Sequence, residues 1–510
     1  MTPADSAHQC SRRDVLKLVV TAAATRSTPV FAANDEQNKN SIIRAIVPRG
    51  KAGHQFILYS DCCSGIPNGR FEKNLRRINK MVASIQPQPE FIAFPGDAIK
   101  GYTTDYHELQ KQWDYWQQTE MKWLEGKQIP LFQSTSNHNT YDDGSENVFR
   151  KKHPEIPQNG PEGQKGLAYY IRRGDLLYIS THQPDRQRFP KYRPGMLIDW
   201  KWLDHVLTEH QDAKFKLVAG HYPAFPVNGY IECPLWCLKP AERRPFWEVL
   251  VRHRVNAYLA SHVIAFDVQI HDGIPQIVSG GAGTNYGPGG FMPGLTEYFH
   301  AVQITLDHQG LQYQVLDVNG KRREWLQWPF TLPTVGKWQM LESQSASSEL
   351  SPEHLTGQLV VWRFRGESAR KSADEEQTLL CGFDKNEPVT KVWIGLEGKT
   401  SRLIVRLLPE STYGMQSWIG PQITNDAKFD FQLALHPGMG SGGILWRSTE
   451  KEQWVSLYSK SAKGTEELKW PTSWVIGRDQ TDVASRAFRG KKLVTTWTRH
   501  PEPMVVLNSE

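Results

Sequence analysis

Phe91-Ile92-Ala93-Phe94-Pro95-Gly96-Asp97 is the stretch on which the fold turns. Four apolar residues read as a short buried strand, Pro95 and Gly96 end it, and Asp97 is left just beyond its C-terminal end. The same arrangement recurs four times. Phe56-Ile57-Leu58-Tyr59-Ser60 runs into Asp61, Leu131–Ser136 into Asn137-His138, Lys216–Gly220 into His221, and Asn256–Ser261 into His262. Open α/β sheets collect their ligands outside the C-terminal ends of their strands. Five strand ends that carry oxygen or imidazole donors, with no Lys or Arg among them, therefore predict one sheet edge that binds a pair of metal ions.

Around these endings, residues 54–317 alternate apolar runs with amphipathic stretches. Further strands are expected at Leu176–Ser180, Gln276–Ser279 and Ala301–Leu306, and helices at Phe71–Ser84, Tyr106–Leu124, Leu197–His210 and Ala241–His253, which gives an α/β domain. Pro329–Ser351 is Ser-rich and without periodicity, and reads as a linker. Beyond it the pattern changes to alternating segments such as Leu359–Phe364, Arg402–Leu407 and Phe429–Leu435, the signature of a β-sandwich. The expected organisation is residues 1–33 as a leader, 34–53 as an extension, 54–328 as the α/β domain, 329–351 as linker and 352–510 as the sandwich. A chain of 510 residues is long enough for two cores.

Composition excludes several roles. The chain is 39% hydrophobic and 22% charged, and no run reaches the roughly 18–20 apolar residues of a membrane helix. The formal charge is +6, and the four basic and two acidic residues of the first 33 account for +2 of it. The remainder is too mild and too evenly spread to predict nucleic-acid binding.

The leader is legible in its own right. Ser11-Arg12-Arg13-Asp14-Val15-Leu16-Lys17 precedes a weakly apolar stretch and the small residues of Pro29-Val30-Phe31-Ala32-Ala33. It resembles a twin-arginine signal with Val15 in place of the usual Phe, which implies the twin-arginine export machinery as a partner and a periplasmic or extracellular destination.

The five strand endings, in this order, resemble the calcineurin-like metallophosphoesterases, the superfamily that includes purple acid phosphatases. The matching stretches are Asp61-Cys62-Cys63, Gly96-Asp97, Ser136-Asn137-His138-Asn139, Gly220-His221-Tyr222-Pro223 and Ser261-His262-Val263-Ile264. The resemblance implies an αββα sandwich holding one or two divalent ions (Zn, Mn or Fe). Asp97 would bridge them, with Asn137, His221 and His262 completing one shell. Asp61 and Cys63 belong to the other shell, where Ile264 stands in place of a histidine ligand. His138 would protonate the leaving oxygen, although Asn139 follows it where relatives carry an acid; Asp142 and Asp143 are the candidates to substitute. The implied activity is hydrolysis of a phosphate mono- or diester by metal-activated water. The alternative is an impaired, phosphoesterase-like binding protein of the cell envelope.

Taken singly, an Asp after a strand is usually a turn or cap residue and a lone His a hydrogen-bonded one. Of the five cysteines after the leader, Cys62 and Cys63 share the first motif's loop, while Cys233 and Cys237 share the loop after His221. A disulfide between the loops is the favoured expectation, with Cys63 as a thiolate ligand the alternative. Cys381 reads as a small buried hydrophobe. Lys100 occupies the position where purple acid phosphatases place their iron-binding Tyr, with Tyr102 two residues further on, so no tyrosinate-iron centre is expected. In the C-terminal segment, Ile476-Gly477 and Phe488-Arg489-Gly490 resemble the end of laminin-G or concanavalin-like sandwiches. Half of the 18 tryptophans follow residue 335, which offers carbohydrate or envelope binding as an alternative to a plain structural core.

Overall fold

The computed structural model describes residues 42–50, 52–183, 198–231, 236–284, 299–329, 338–341, 360–367, 375–384, 386–398, 400–408, 415–423, 428–435, 444–448, 454–459, 470–479 and 486–499. The signal-like leader and Cys233 lie outside these residues. Among them, no helix is long and apolar enough to cross a membrane.

The first lobe opens with β1 (Ile43–Arg44), β2 (Gly53–Leu58), α1 (Glu72–Ala83), β3 (Ile85–Gln86), β4 (Phe91–Phe94), α2 (Tyr106–Tyr115), α3 (Trp123–Lys127) and β5 (Leu131–Gln133). It continues with α4 (Asp143–Lys152), β6 (Tyr169–Arg173), β7 (Leu176–Ser180), α5 (Trp200–Glu209), β8 (Phe215–Ala219), α6 (Pro240–Arg252) and β9 (Ala257–Ala260). Two antiparallel pairs finish it, β10 (Phe266–His271) with β11 (Ile274–Ser279) and β12 (His300–Asp307) with β13 (Gly310–Asp317), and β14 (Arg322–Trp328) pairs at the edge. Two six-stranded sheets result, ordered β14-β13-β12-β2-β4-β5 and β10-β11-β9-β8-β7-β6. In the first, β2, β4 and β5 run parallel; in the second, β7, β8, β9 and β11 do.

Strand period sorts the second sheet's side chains between two cores. Leu176, Tyr178, Leu217, Ala219, Ala257 and Leu259 join Phe56, Leu58, Phe91 and the strands of the first sheet. The alternate residues Leu177, Ile179, Val218, Tyr258 and Ala260 pack on Leu203, Val206 and Leu207 of α5 and Phe246 and Leu250 of α6. Helix α1 places Leu75, Ile78 and Val82 in the core of the first sheet. The layers are thus helix, sheet, sheet, helix.

One expected element is broken. The reading of a single helix over Tyr106–Leu124 fails at Trp116–Glu120, which is π-helical and separates α2 from α3. The wider turn presents Glu120 to the loop after Cys63, where its carboxylate accepts from the Ser64 hydroxyl and, at 2.9 Å, from Gly65 N. Insertions of this kind gather at functional sites.

Among the described residues, the elements of the second lobe are strands: β15 (Gln339–Met340), β16 (Val360–Glu367), β17 (Gln377–Asp384), β18 (Glu387–Leu396), β19 (Arg402–Leu407) and β20 (Gln416–Gln422) come first. They are followed by β21 (Lys428–Leu435), β22 (Leu445–Ser448), β23 (Val455–Ser456), β24 (Tyr458–Ser459), β25 (Ser473–Ile476) and β26 (Lys491–Arg499). Two antiparallel six-stranded sheets, β15-β26-β16-β21-β22-β23 and β24-β20-β19-β18-β17-β25, close on a core that holds Trp362, Trp418, Trp474 and Trp497. These rings fill the interior rather than a sugar-facing surface. Strand β15 falls inside the stretch read as linker and pairs with β26. The Ile-Gly and Phe-x-Gly pair does meet, with Phe488 N donating to Gly477 O at 2.7 Å.

The lobes are joined by a buried polar seam. Asn228 Oδ1 accepts from Ser459 N at 2.8 Å while its Nδ2 donates to Asp267 Oδ1 at 2.9 Å. Ile270 N donates to Ser456 Oγ at 2.7 Å, and Val361, Ala434, Leu445 and Trp454 extend the first lobe's core.

Candidate metal centre

Asp61, Asp97 and Asn137 follow β2, β4 and β5 of the first sheet, whereas His221 and His262 follow β8 and β9 of the second. The expectation of a single sheet edge is corrected accordingly: the donors come from the C-terminal ends of two sheets packed face to face. Strand order is a long-range property that periodicity does not carry.

Each side chain is aimed by a neighbour. His221 is fully buried, and its Nδ1 lies 2.9 Å from both the Pro95 carbonyl oxygen and the Ser261 hydroxyl. Nδ1 therefore carries the hydrogen and Nε2 presents a lone pair to the centre, the arrangement usual behind metal-bound histidines. Asn137 donates from Nδ2 to Tyr102 Oη at 2.8 Å, which turns its Oδ1 inward. That oxygen lies 2.5 Å from His221 Nε2 and 3.1 Å from His262 Nδ1, while the two imidazole nitrogens are 3.0 Å apart. Asp97 Oδ1 completes the group, 3.4 Å from His221 Nε2.

Four potential ligand atoms thus face one another, and Asp97 Oδ1 also accepts from His138 N at 3.3 Å. Donors about 2.0–2.2 Å from one ion stand roughly 3 Å apart when adjacent, so the observed spacing fits a divalent metal. Asp97, His221 and His262 offer one ligand atom each within 4.8 Å of one another.

The opposite oxygen of Asp97 faces a different set. Cys63 Sγ and His138 Nε2 each lie 3.9 Å from Asp97 Oδ2, and the three ligand atoms again fall within 4.8 Å of one another. His138 Nδ1 is 2.6 Å from the Lys100 carbonyl, and its ring meets Tyr102 edge-on at 4.5 Å. The carboxylate that was to replace the missing acidic neighbour does not reach it. Asp142 caps α4 through Ser145 N at 2.7 Å and accepts from Tyr106 Oη at 3.0 Å, and Asp143 is solvent-exposed on the first turn of α4. A backbone carbonyl orients His138 instead.

Asp61 is buried beside this group. Its Oδ2 accepts from Ser60 Oγ at 2.9 Å and from His262 N at 3.2 Å, and its Oδ1 has no hydrogen-bond partner. Ile264, partly buried, packs against the outer apolar cluster between sheet and helices. Cys62 and Cys63 are free thiols, which corrects the expected disulfide with the Cys233–Cys237 loop. The cause is local: Cys62 Sγ turns into the core and contacts the Ala98 carbonyl at 2.9 Å, while Cys63 turns toward Asp97.

Electrostatics follow burial and charge. Desolvation, then the nearby Asp97 charge, pushes the Asp61 carboxyl well above its ordinary range. Burial raises Cys63 in the same way, helped by Asp97 and Asp61. Burial also acts on Asp97, but His221, His138 and His262 together hold it below the usual value. His262 is lowered to about 3 by burial and by His221.

Backbone strain concentrates here as well. Asp61, Cys63, Asp97, Tyr102 and His262 all have positive φ, at 64°, 42°, 51°, 52° and 69°. Residues other than glycine rarely adopt this conformation, and where they do, active sites and ligand clamps are over-represented. Gly96, at φ 104°, has no room for a side chain: a Cβ would sit 2.4 Å from Ser136 Cβ and 2.9 Å from His221 Nδ1.

No protein-family model matches the chain, and no curated protein does. Solved structures resemble it distantly. A purple acid phosphatase from yellow lupin seeds is 14% identical, over 55% of this chain and 54% of its own, with a TM-score of 0.40. The anchor in the inner membrane complex of Plasmodium is 14% identical over 54% and 88%, with a TM-score of 0.39. A 5'-nucleotidase, so described, from Staphylococcus aureus is 14% identical over 52% and 54%, with a TM-score of 0.34. The chain spans about half the length of the lupin and Staphylococcus proteins. At such scores the likeness carries no argument, and the reading rests on the side chains.

Sequence reasoning missed the residues that do the aiming. Ser136 Oγ accepts from Asp97 N at 2.9 Å, and Ser261 Oγ donates to Pro95 O at 2.7 Å. Both serines stand where the resembled motifs have glycine, so the signal was present as two departures from the pattern. Tyr102 gave no signal, because its role depends on a turn that brings it back to Asn137.

Proposed function

We propose that this chain is an exported, metal-dependent phosphoesterase of the calcineurin-like type that hydrolyses a phosphate mono- or diester. The observation that carries the reading is the convergence of Asn137 Oδ1, His221 Nε2, His262 Nδ1 and Asp97 Oδ1, metal-ligand atoms drawn from two sheets to within about one ion's reach of each other. A divalent ion held there would supply an acidified water and offset charge on the phosphoryl oxygens. The chain's own residues do the rest. Pro95 O and Ser261 fix the His221 tautomer, and Tyr102 fixes the Asn137 amide. Export is supported by the Arg12-Arg13 leader.

A second reading, a binding protein with impaired catalysis, is favoured by the isoleucine at position 264 and by Asn139, whose buried amide has no hydrogen-bond partner. Metal analysis of the purified protein, with an aryl phosphate assay, separates the two. The enzyme reading expects bound divalent metal and turnover that disappears in His221→Ala. Bound metal without turnover across a panel of ions selects the binding protein, and no bound metal refutes the site itself.

A further inference from the structure

We infer that His182 and Gln183, at the end of a strand that supplies none of the four donors, are positioning residues of the metal centre: together they hold the Asn137 loop of one sheet and the His221 loop of the other at a fixed separation. The role is played at the four-donor centre proposed above and rests on that reading. Strand β7 runs parallel to β8, so its C-terminal end reaches the same edge as His221. The residues that follow it, Thr181-His182-Gln183, are buried.

Toward the first sheet, both residues converge on one hydroxyl. Thr135 Oγ1, two positions before Asn137, accepts from Gln183 N at 3.0 Å and meets His182 Nδ1 at 2.9 Å. The far side of the imidazole is fixed in turn, since its Nε2 donates to the buried Glu146 carboxylate of α4 at 3.1 Å. Toward its own sheet, Gln183 grips the residue that follows His221. Its Oε1 accepts from Tyr222 N at 2.6 Å, and its Nε2 donates to Tyr258 Oη at 3.1 Å, which itself donates to Tyr222 O at 2.6 Å. The N–H and the C=O of Tyr222 are thus both held through this one side chain. The second hydrogen of Nε2 goes to Thr181 Oγ1 at 3.0 Å. Turning the amide over would face Nε2 to the Tyr222 N–H, so one orientation alone satisfies the set.

Gly220 completes the fit. A Cβ there would stand 2.1 Å from Gln183 Nε2 and 2.7 Å from Thr181 Oγ1, so the glycine before His221 is the room that this amide occupies. The consequence for the centre lies in its origin from two layers. Asn137 Oδ1 and His221 Nε2 approach to 2.5 Å although β5 and β8 belong to different sheets. A brace that touches both loops fixes that approach before an ion arrives, and the residues behind a metal's ligands act on affinity in this way.

The test is Zn2+ competition against a chromophoric chelator and the visible ligand-field spectrum of the Co2+-loaded full-length protein, with urea unfolding of the metal-free form alongside. Gln183→Met keeps the bulk and removes the bonds to Tyr222. It should weaken Zn2+ binding by roughly 10- to 100-fold and shift the Co2+ bands. Thr135→Val removes the shared hydroxyl on the other side and should act in the same direction; if one variant fails to fold, the other carries the test. Asn228→Ala, which loses bonds in the seam between the lobes, should lower the urea midpoint and leave affinity and bands at wild-type values, so lost stability alone does not imitate the effect. A lowered midpoint with wild-type affinity and bands in Gln183→Met and Thr135→Val would mean a merely structural role and overturn the assignment, while the four-donor centre stands. A wild type that takes up neither ion refutes the centre itself, and the positioning role with it.

Discussion

Replacing Tyr102 with Phe removes one oxygen from the wall of the centre and nothing from its ligand set. In the wild type, the 2.8 Å bond from Asn137 Nδ2 to Tyr102 Oη holds the amide with Oδ1 inward, 2.5 Å from the His221 lone pair. Without that acceptor, the metal-free protein gains by turning the amide over, so that Nδ2 donates to His221 Nε2. Metal binding must then reverse the flip at the cost of about one neutral hydrogen bond, or about 1–2 kcal/mol, which weakens the affinity by roughly 5- to 30-fold. Competition with a chromophoric chelator measures this, run beside Asn137→Ala as the full loss of the ligand. Thermal stability of the metal-free variant should hardly change, because the flipped amide keeps a partner. Wild-type affinity in Tyr102→Phe, or a loss as large as in Asn137→Ala, would refute the orienting role.

Three further outcomes follow from the geometry. Gly96→Ala must place a methyl group 2.4 Å from Ser136 at φ 104°, so a loss of at least about 2 kcal/mol in denaturant unfolding is expected, together with weakened metal binding; a wild-type midpoint would contradict the packing. Asn228→Ala deletes two buried bonds of the seam between the lobes, at a cost of about 2–4 kcal/mol. Hydrogen exchange should speed up in residues 223–231 and 454–459, and unchanged protection would show that the seam is not what fixes them. Asp267, buried in that seam, is raised to about 6, chiefly by desolvation. Its folded state binds a proton that the unfolded chain has released, so stability falls as pH rises from about 4 to about 6 and then levels off. The full effect is about 3 kcal/mol at 1.36 kcal/mol per unit. His271 beside it is lowered to about 3 by burial and by Arg243; it contributes the opposite slope in wild type and variant alike. Urea midpoints of Asp267→Asn minus wild type should therefore rise across that window, and a flat difference would refute the assignment.

What could be read in the sequence was what local chemistry encodes. The strand endings at Asp61, Asp97, Asn137, His221 and His262 were visible because a run of apolar residues followed by a polar one needs no knowledge of the neighbours. The sandwich was visible for the same reason. The partition of the donors between two sheets was not, since it follows from β2 pairing with β12 some 250 residues away. The break at Trp116–Glu120 was hidden because the residues of a π turn are ordinary helix formers. The contacts that Glu120 makes from it, with Ser64 and Gly65, lie far back in the chain. The thiols of Cys62 and Cys63 were misjudged because adjacent residues on a tight turn diverge, and φ 42° at Cys63 sends its sulfur to Asp97 while Cys62 enters the core.

The origin of the donors in two layers has a mechanical consequence. An ion gripped by Asn137 on one sheet and His262 on the other, 125 positions apart, would fasten the layers together only while they are folded, so its binding free energy adds to the stability of the folded state. Chelation would then do more than silence chemistry. It would unlatch the interior where the two sheets meet, so that metal supply governs how long the folded protein survives.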